Sequence, residues 1–98
     1  MATFILLSKV SSEGARQVKS LVEMDKEFAA QLKTQCPGVK RVASYALLGA
    51  YDFMHIFEAA DGREAAKVAL IANAFGAAST QTLTAIPFSE FREIVEEL

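Results

Sequence analysis

The chain has 98 residues, 52% of them hydrophobic, and its ten basic and twelve acidic residues give a net charge of −2. This length suits one domain, spanning residues 1–98. The basic residues are too scattered to follow a nucleic-acid backbone, no segment reaches the ~18 apolar residues of a membrane span, and the lone cysteine cannot form an intramolecular disulfide. We therefore expect a cytoplasmic single-domain protein without nucleic-acid or membrane partners.

The chain is expected to begin with a strand and an amphipathic helix. Residues 3–10 are apolar and partly β-branched, which predicts a strand. A serine cap in the Ser11-Ser12 segment then opens a long helix, which Cys36-Pro37-Gly38 ends because proline disfavours a helical residue before it. The apolar positions of this helix recur at spacings of three, four and seven: Val18, Leu21, Val22, Phe28, Ala29 and Leu32.

Residues 39–48 and 51–59 form two strand-like runs separated by Gly49-Ala50. Glycine at the first central position of a two-residue loop predicts a type II′ hairpin turn, because that position needs a positive φ. Opposed residues share a face of the sheet. Ser44 and His55 are therefore expected on one face, and Tyr45, Asp52 and Arg41 on the other. The pairs that this turn predicts are Leu47–Asp52, Tyr45–Met54, Ser44–His55 and Arg41–Glu58.

The last third of the chain predicts a helix, a strand and a short terminal helix. Asp61-Gly62-Arg63-Glu64 has the pattern of a capping box, and Gly76 closes the helix that it opens. Residues 78–86 predict a fourth strand with three threonines on one face. After Pro87, Ser89 is expected to cap a short helix with a single apolar stripe, which consists of Phe91, Ile94, Val95 and Leu98.

The predicted order is βαββαβ with an added helix, which matches the ferredoxin-like α+β fold: a four-stranded antiparallel sheet with two helices on one face and a short C-terminal helix. Such a sheet usually alternates apolar and polar residues when one face is wet. Here the runs at residues 4–7 and 53–57 are apolar on both sides. We therefore expect a second copy of the chain to cover the other face, as a homodimer or higher homo-oligomer. The alternative is that the terminal helix folds back over it.

The segment Gly49-Ala50-Tyr51-Asp52-Phe53, with residues 56–59 after it, resembles the Gly-x-Tyr-Asp hairpin of the GYD domain family. The likeness extends to the opening strand, to Ser12-Glu13-Gly14, to Gly76 and to residues 79–86, and so covers nearly the whole chain. This resemblance implies a ferredoxin-like or dimeric α/β-barrel fold, and it implies no defined biochemical function.

Five residues are candidates for a site. His55, the only histidine, is either a general base or hydrogen-bond donor in a pocket, or a core histidine paired with Ser44 or a backbone carbonyl. Asp52 either accepts hydrogen bonds from turn amides or orients a ligand, and Tyr51 either packs at the hairpin end or binds a ligand. Tyr45 is expected to share a face with Asp52. One histidine and no suitable Cys, His or carboxylate spacing predict neither a metal site nor a cofactor.

Three functions stay open from the sequence. The first is a homo-oligomeric domain that binds a small molecule in a pocket at the sheet face or the subunit interface. The second is a cofactor-independent isomerase, cyclase or monooxygenase, in which His55 transfers a proton with Tyr45 or Asp52. The third is a purely structural assembly subunit.

Overall fold

The computed structural model describes residues 1–10 and 20–98. The predicted serine cap and Val18 lie outside these residues. The elements follow the predicted order: β1 (Ala2–Val10), α1 (Leu21–Gln35), β2 (Lys40–Ala46), β3 (Phe53–Ala59), α2 (Gly62–Ala74), β4 (Ala77–Ala85) and α3 (Phe88–Glu96).

The four strands form one antiparallel sheet in the order β2-β3-β1-β4. The two strands that are central in space, β1 and β3, are also the most apolar in sequence. This arrangement and the order of the elements confirm the predicted ferredoxin-like α+β fold. Within the described residues, no helix is both long and apolar enough to cross a bilayer.

The hydrophobic core lies between one face of the sheet and the two helices α1 and α2. Leu6, Phe57 and Val68 are its largest fully buried side chains, with exposures of 0%, 1% and 1%. Alternate residues of β1 point into this core, and Phe28 and Leu32 of α1 pack against them from the helix layer. The face that carries Leu6 and Phe57 is called the helix-covered face below, and the opposite one is the open face.

The ends of α2 confirm the sequence signals, whereas the start of α3 does not. Asp61 accepts a hydrogen bond from the Glu64 amide at 2.9 Å, as a capping aspartate does. Gly76 follows the helix with φ +113°, a conformation that favours glycine. Ser89, in contrast, does not cap α3: the residue before the helix is Pro87, and no side chain caps its first turn.

The hairpin between β2 and β3 corrects one prediction. Among the described residues, Gly76 is the only one with a positive φ, so Gly49 does not form a type II′ turn. The strands end at Ala46 and resume at Phe53, and the six residues between them form a wider loop. The amide of Leu47 still donates to the carbonyl of Asp52 at 2.8 Å, so the predicted pairing survives at the base of this loop.

A bulge in β2 corrects a second prediction. Ser44 pairs with His55 and Tyr45 with Met54, as predicted, but the register shifts at Val42. Arg41 therefore lies opposite Phe57 instead of Glu58, and Lys40 takes the position opposite Glu58. Because one extra residue moves a side chain to the other face of a strand, Arg41 lies on the helix-covered face with Ser44 and His55, not on the face predicted for it with Tyr45 and Asp52.

The open face is apolar, and no helix within residues 1–10 and 20–98 lies on it. It carries Ile5, Leu7, Met54, Ile56 and Leu83, which are half-buried or exposed. The terminal helix does not fold over them, because α3 has no extensive contact with any other described element and contains no buried residue. The alternative expected from the sequence, that the terminal helix folds back over this face, is therefore wrong.

Candidate functional site

A cavity of about 430 Å³ lies on the helix-covered face, between α1 and the sheet near the β2–β3 loop. This volume falls within the range of ~300–1,000 Å³ that is usual for small-molecule sites. Its wall is mostly apolar and comes from both layers: Val10, Leu21, Val22, Met24, Phe28, Phe53 and Phe75. The polar side chains at its border are Asp25, Ser44 and His55. The arrangement suits an apolar molecule with a polar group at one end.

His55 is held on this wall by three neighbours. Its Nδ1 lies 2.8 Å from the Ser44 hydroxyl and 3.1 Å from Nη2 of Arg41. Its ring also packs against Phe28 of α1, with 5.5 Å between the ring centres. The register of the hairpin accounts for Ser44, and the bulge at Val42 accounts for Arg41.

These contacts assign the protonation of the ring. An arginine can only donate hydrogen bonds, so Nδ1 must be the acceptor, and in the neutral ring the proton is on Nε2. Burial lowers the pKa of His55 below its usual 6.5, and the positive charge of Arg41 lowers it further, although the carboxylate of Asp25 acts in the opposite direction. His55 is therefore a neutral ring with a donor at Nε2.

Nε2 itself is accessible. Within the described part of the chain, Nε2 has no hydrogen-bond partner, and no buried polar side-chain atom there is left unpaired. A molecule that enters the cavity can therefore accept a hydrogen bond from His55.

Arg41 connects α1 to the sheet at the edge of the cavity. Nη2 lies 3.2 Å from a carboxylate oxygen of Asp25 and 2.9 Å from the hydroxyl of Ser44, and the guanidinium lies over the ring of Phe28 at 5.4 Å. The side chain of Asp25 is 53% exposed, so this ion pair contributes at most about 1 kcal/mol. The main effect of Arg41 is to orient His55 and keep it neutral.

The other predicted residues lie apart from His55. Asp52 accepts a hydrogen bond from the amide of Val10 at 2.9 Å, so its carboxylate joins the hairpin loop to the end of β1, not to a turn amide. The hydroxyl of Tyr51 donates to the side-chain oxygen of Gln81 on β4 at 2.5 Å. Both contacts fix the loop to the sheet, through partners other than the turn amides and the ring packing considered from the sequence.

Tyr45 borders the cavity, but it alternates with Ser44 along β2 and makes no hydrogen bond to His55 in the described residues. The structure thus joins His55 to Ser44 and does not join it to Tyr45 or Asp52. Sequence reasoning missed Arg41 and Asp25, because the first depends on a bulge and the second on how α1 crosses the sheet.

The described residues contain no group of three or more histidine, cysteine or acidic side chains placed to hold a metal ion.

Solved structures with the same fold share few identical residues with this chain. MtbAldR has a TM-score of 0.63 at 17% identity, covering 88% of this chain and 52% of its own, so the chain spans about half the length of MtbAldR. TTHA0845 from Thermus thermophilus has a TM-score of 0.61 at 19% identity, covering 89% and 95%. A hypothetical protein from Pyrococcus horikoshii, PHS023, has a TM-score of 0.55 at 24% identity, covering 89% and 92%. These similarities show the fold class, a ferredoxin-like α+β domain.

The family follows from sequence matches that span nearly the whole chain. The model of the GYD domain matches residues 4–95. A relative from Thermus thermophilus, named glutamine synthetase and cystathionine beta-lyase binding protein, is 39% identical over 90 residues, which are 92% of this chain and 94% of the relative. The chain belongs to the GYD domain family, which confirms the resemblance carried by residues 49–53.

Proposed function

We propose that the protein is a homodimeric, non-catalytic domain that binds one small molecule per protomer in the cavity beside His55. The observation that carries this proposal is a mostly apolar cavity of about 430 Å³ lined by His55, whose Nε2 has no hydrogen-bond partner within the described residues. The proposed site lies at a face of the sheet, under α1 and within one protomer, so of the two places expected from the sequence it corresponds to the sheet face and not to the subunit interface.

The side chains at the cavity favour a neutral ligand with an oxygen acceptor. Nε2–H of a neutral histidine donates to a carbonyl or hydroxyl oxygen, and the apolar wall accommodates the rest of the molecule. The charges of Arg41 and Asp25 largely cancel each other at 3.2 Å. A fully charged ligand would lose its hydration without gaining an unpaired opposite charge.

The homodimer part of the proposal is supported by the open face. Five apolar side chains there have no cover from the described helices, and exposed apolar patches of this kind usually mark contacts with another molecule. A second copy is the partner that is always present. Multi-angle light scattering at micromolar concentration is expected to give twice the chain mass, and a clean monomer would refute this part. A cytoplasmic location belongs to the same proposal and is tested by cell fractionation.

The enzyme alternative has less support. A general base needs a free acceptor atom, whereas Nδ1 of His55 already accepts from Arg41 and Ser44, and Nε2 carries the proton. The other two candidate groups, Tyr45 and Asp52, have no hydrogen bond to His55 within the described residues. A purely structural subunit is the conclusion to draw if the cavity binds nothing.

A thermal-shift screen of small aromatic ketones and alcohols tests the cavity. Binders are expected to raise the Tm of wild type and of Tyr45→Phe, which removes a hydroxyl from the neighbouring strand position, but to raise that of His55→Phe much less. His55→Phe keeps the ring shape and removes the donor. A second variant, Val22→Trp, adds bulk at an exposed position on the cavity wall and is expected to reduce binding without altering His55. An equal response from all four proteins would exclude the cavity as the site.

A second function, the binding of another protein, is favoured by the Thermus relative, which is named for binding glutamine synthetase and cystathionine beta-lyase and matches over 94% of its length. We propose this as the alternative to a small-molecule ligand. Its test is co-elution of this protein with purified samples of either enzyme in size-exclusion chromatography. Separate elution at micromolar concentrations of both proteins would reject it.

A further inference from the structure

The terminal helix α3 has an apolar stripe with nothing from the described part of the chain packed on it. Phe91, Ile94, Val95 and Leu98 follow the spacing of one helix face, and their exposures run from 42% to 101%. Phe88 extends the stripe, with its ring centre 6.0 Å from that of Phe91. The other side of α3 is acidic, with Glu93, Glu96 and Glu97. The helix is therefore amphipathic, with one apolar side suited to a packing contact and one charged side suited to solvent.

A helix of this length is not expected to persist alone. It has nine residues, and isolated helices below about 12–15 residues are only marginally stable in water. No side chain caps its first turn, and the two glutamates at its C-terminal end oppose the helix dipole. Since the described elements make no extensive contact with α3, we expect a contact from another molecule to keep it helical.

We infer that the stripe of α3 packs against a second copy of this chain, at the border of the open face, and completes the homodimer interface. The inference rests on the proposed homodimer. Four strands with about seven paired positions each, alternate ones facing outward, give the open face about 14 residues. A standard interface uses about 20–30 residues on each partner. The stripe of α3 is the exposed apolar surface that makes up the difference.

The position of α3 in the chain suits this role. It follows edge strand β4 after only Ile86 and Pro87, and the molecule is elongated, 50 × 31 × 18 Å. In a two-fold dimer, each copy presents the same surface, so each α3 contacts the other protomer in the same way. The acidic side of the helix then faces solvent.

Analytical ultracentrifugation of matched variants tests the inference. Phe91→Glu puts a charge into the stripe, and Ser89→Glu puts the same charge on the opposite side of α3. The dissociation constant of the dimer is expected to rise at least about a hundredfold for Phe91→Glu, because an unpaired carboxylate would be buried, and to stay within about threefold of wild type for Ser89→Glu. Glu93→Pro breaks the helix but keeps all the residues of the stripe, and it is expected to weaken the dimer as well.

The possible failures are distinct. A wild-type monomer would refute the homodimer and this inference together. A wild-type dimer whose dissociation constant is unchanged by both Phe91→Glu and Glu93→Pro would leave the homodimer intact and overturn the role of α3. Far-UV circular dichroism confirms that each variant keeps its folded body.

Discussion

Among the four glycines in the described part of the chain, Gly76 is the one where an added methyl group is expected to destabilise the protein most. Its φ is +113°, a conformation that residues with a Cβ rarely adopt, and a Cβ built there would lie 2.7 Å from Sδ of Met24. Such a backbone conformation costs about 1–3 kcal/mol for a residue other than glycine. Gly76→Ala thus introduces both backbone strain and a steric clash with α1.

The expected loss is about 2–4 kcal/mol in the free energy of unfolding. The clash contributes about 1–3 kcal/mol, reduced by the flexibility of the methionine side chain. The lower entropy of the unfolded chain offsets about 0.4–1 kcal/mol. For a domain of this size each kcal/mol lowers Tm by about 4–8 °C, so Gly76→Ala is expected to lower Tm by roughly 10–25 °C.

Urea unfolding followed by circular dichroism measures this loss, and Gly49→Ala is the matched control. Gly49 has no positive φ, and a Cβ added to it would meet no atom within 4 Å, so Gly49→Ala is expected to stay within about 0.5 kcal/mol of wild type. Adding Met24→Ala in a double-mutant cycle separates the clash from the backbone strain. A Gly76→Ala protein with the same free energy of unfolding as wild type would refute the reasoning. An equal loss for Gly49→Ala would indicate that Gly49 has a positive φ, as in the predicted type II′ turn.

Three further outcomes are expected. The pKa of His55 is lower in the folded chain than its usual 6.5, so the unfolded state binds the proton first, and the free energy of unfolding falls as the pH drops below about 6.5. Urea unfolding at pH 7 and pH 5 measures this fall, and His55→Phe is expected to lose the part of it that is due to His55. Asp52→Ala removes the acceptor of the Val10 amide and is expected to cost about 1–2 kcal/mol, with Asp52→Asn costing less; an unchanged free energy of unfolding for Asp52→Ala would show that the hydrogen bond is unimportant. Asp61→Ala is expected to cost about 1 kcal/mol because it leaves the Glu64 amide uncapped, whereas Asp61→Ser should retain most of the stability in the same assay.

The sequence predicted the elements and the fold because the signals for them are local. The apolar runs of β1 and β3, the capping aspartate of α2 and the glycine after it act within a few residues, and each is found where it was expected. The hairpin loop was mispredicted because glycine permits a positive φ without requiring one. Gly49 lies in a wider loop that Asp52 and Tyr51 hold to β1 and β4 through contacts distant in sequence.

The contacts around His55 were predicted in part for the same reason. The pairing of Ser44 with His55 needs only the register at the base of the hairpin, and it is present. The contact between Arg41 and His55 depends on one extra residue in β2, and the contact with Asp25 depends on the packing of α1. Neither the contact of Arg41 with His55 nor its contact with Asp25 can be predicted from how these residues are spaced in the sequence.

The bulge at Val42 has a consequence for solubility. β2 is an edge strand, and a regular edge offers a row of unpaired amides and carbonyls to which strands of other molecules can add. The bulge interrupts that row, next to the charged side chains of Lys40 and Arg41. The same residue that places Arg41 beside His55 thus protects the sheet from aggregation through β2. A change that removes the bulge is therefore expected to have two effects. It disturbs the cavity, and it leaves β2 with a regular edge to which strands of other molecules can add.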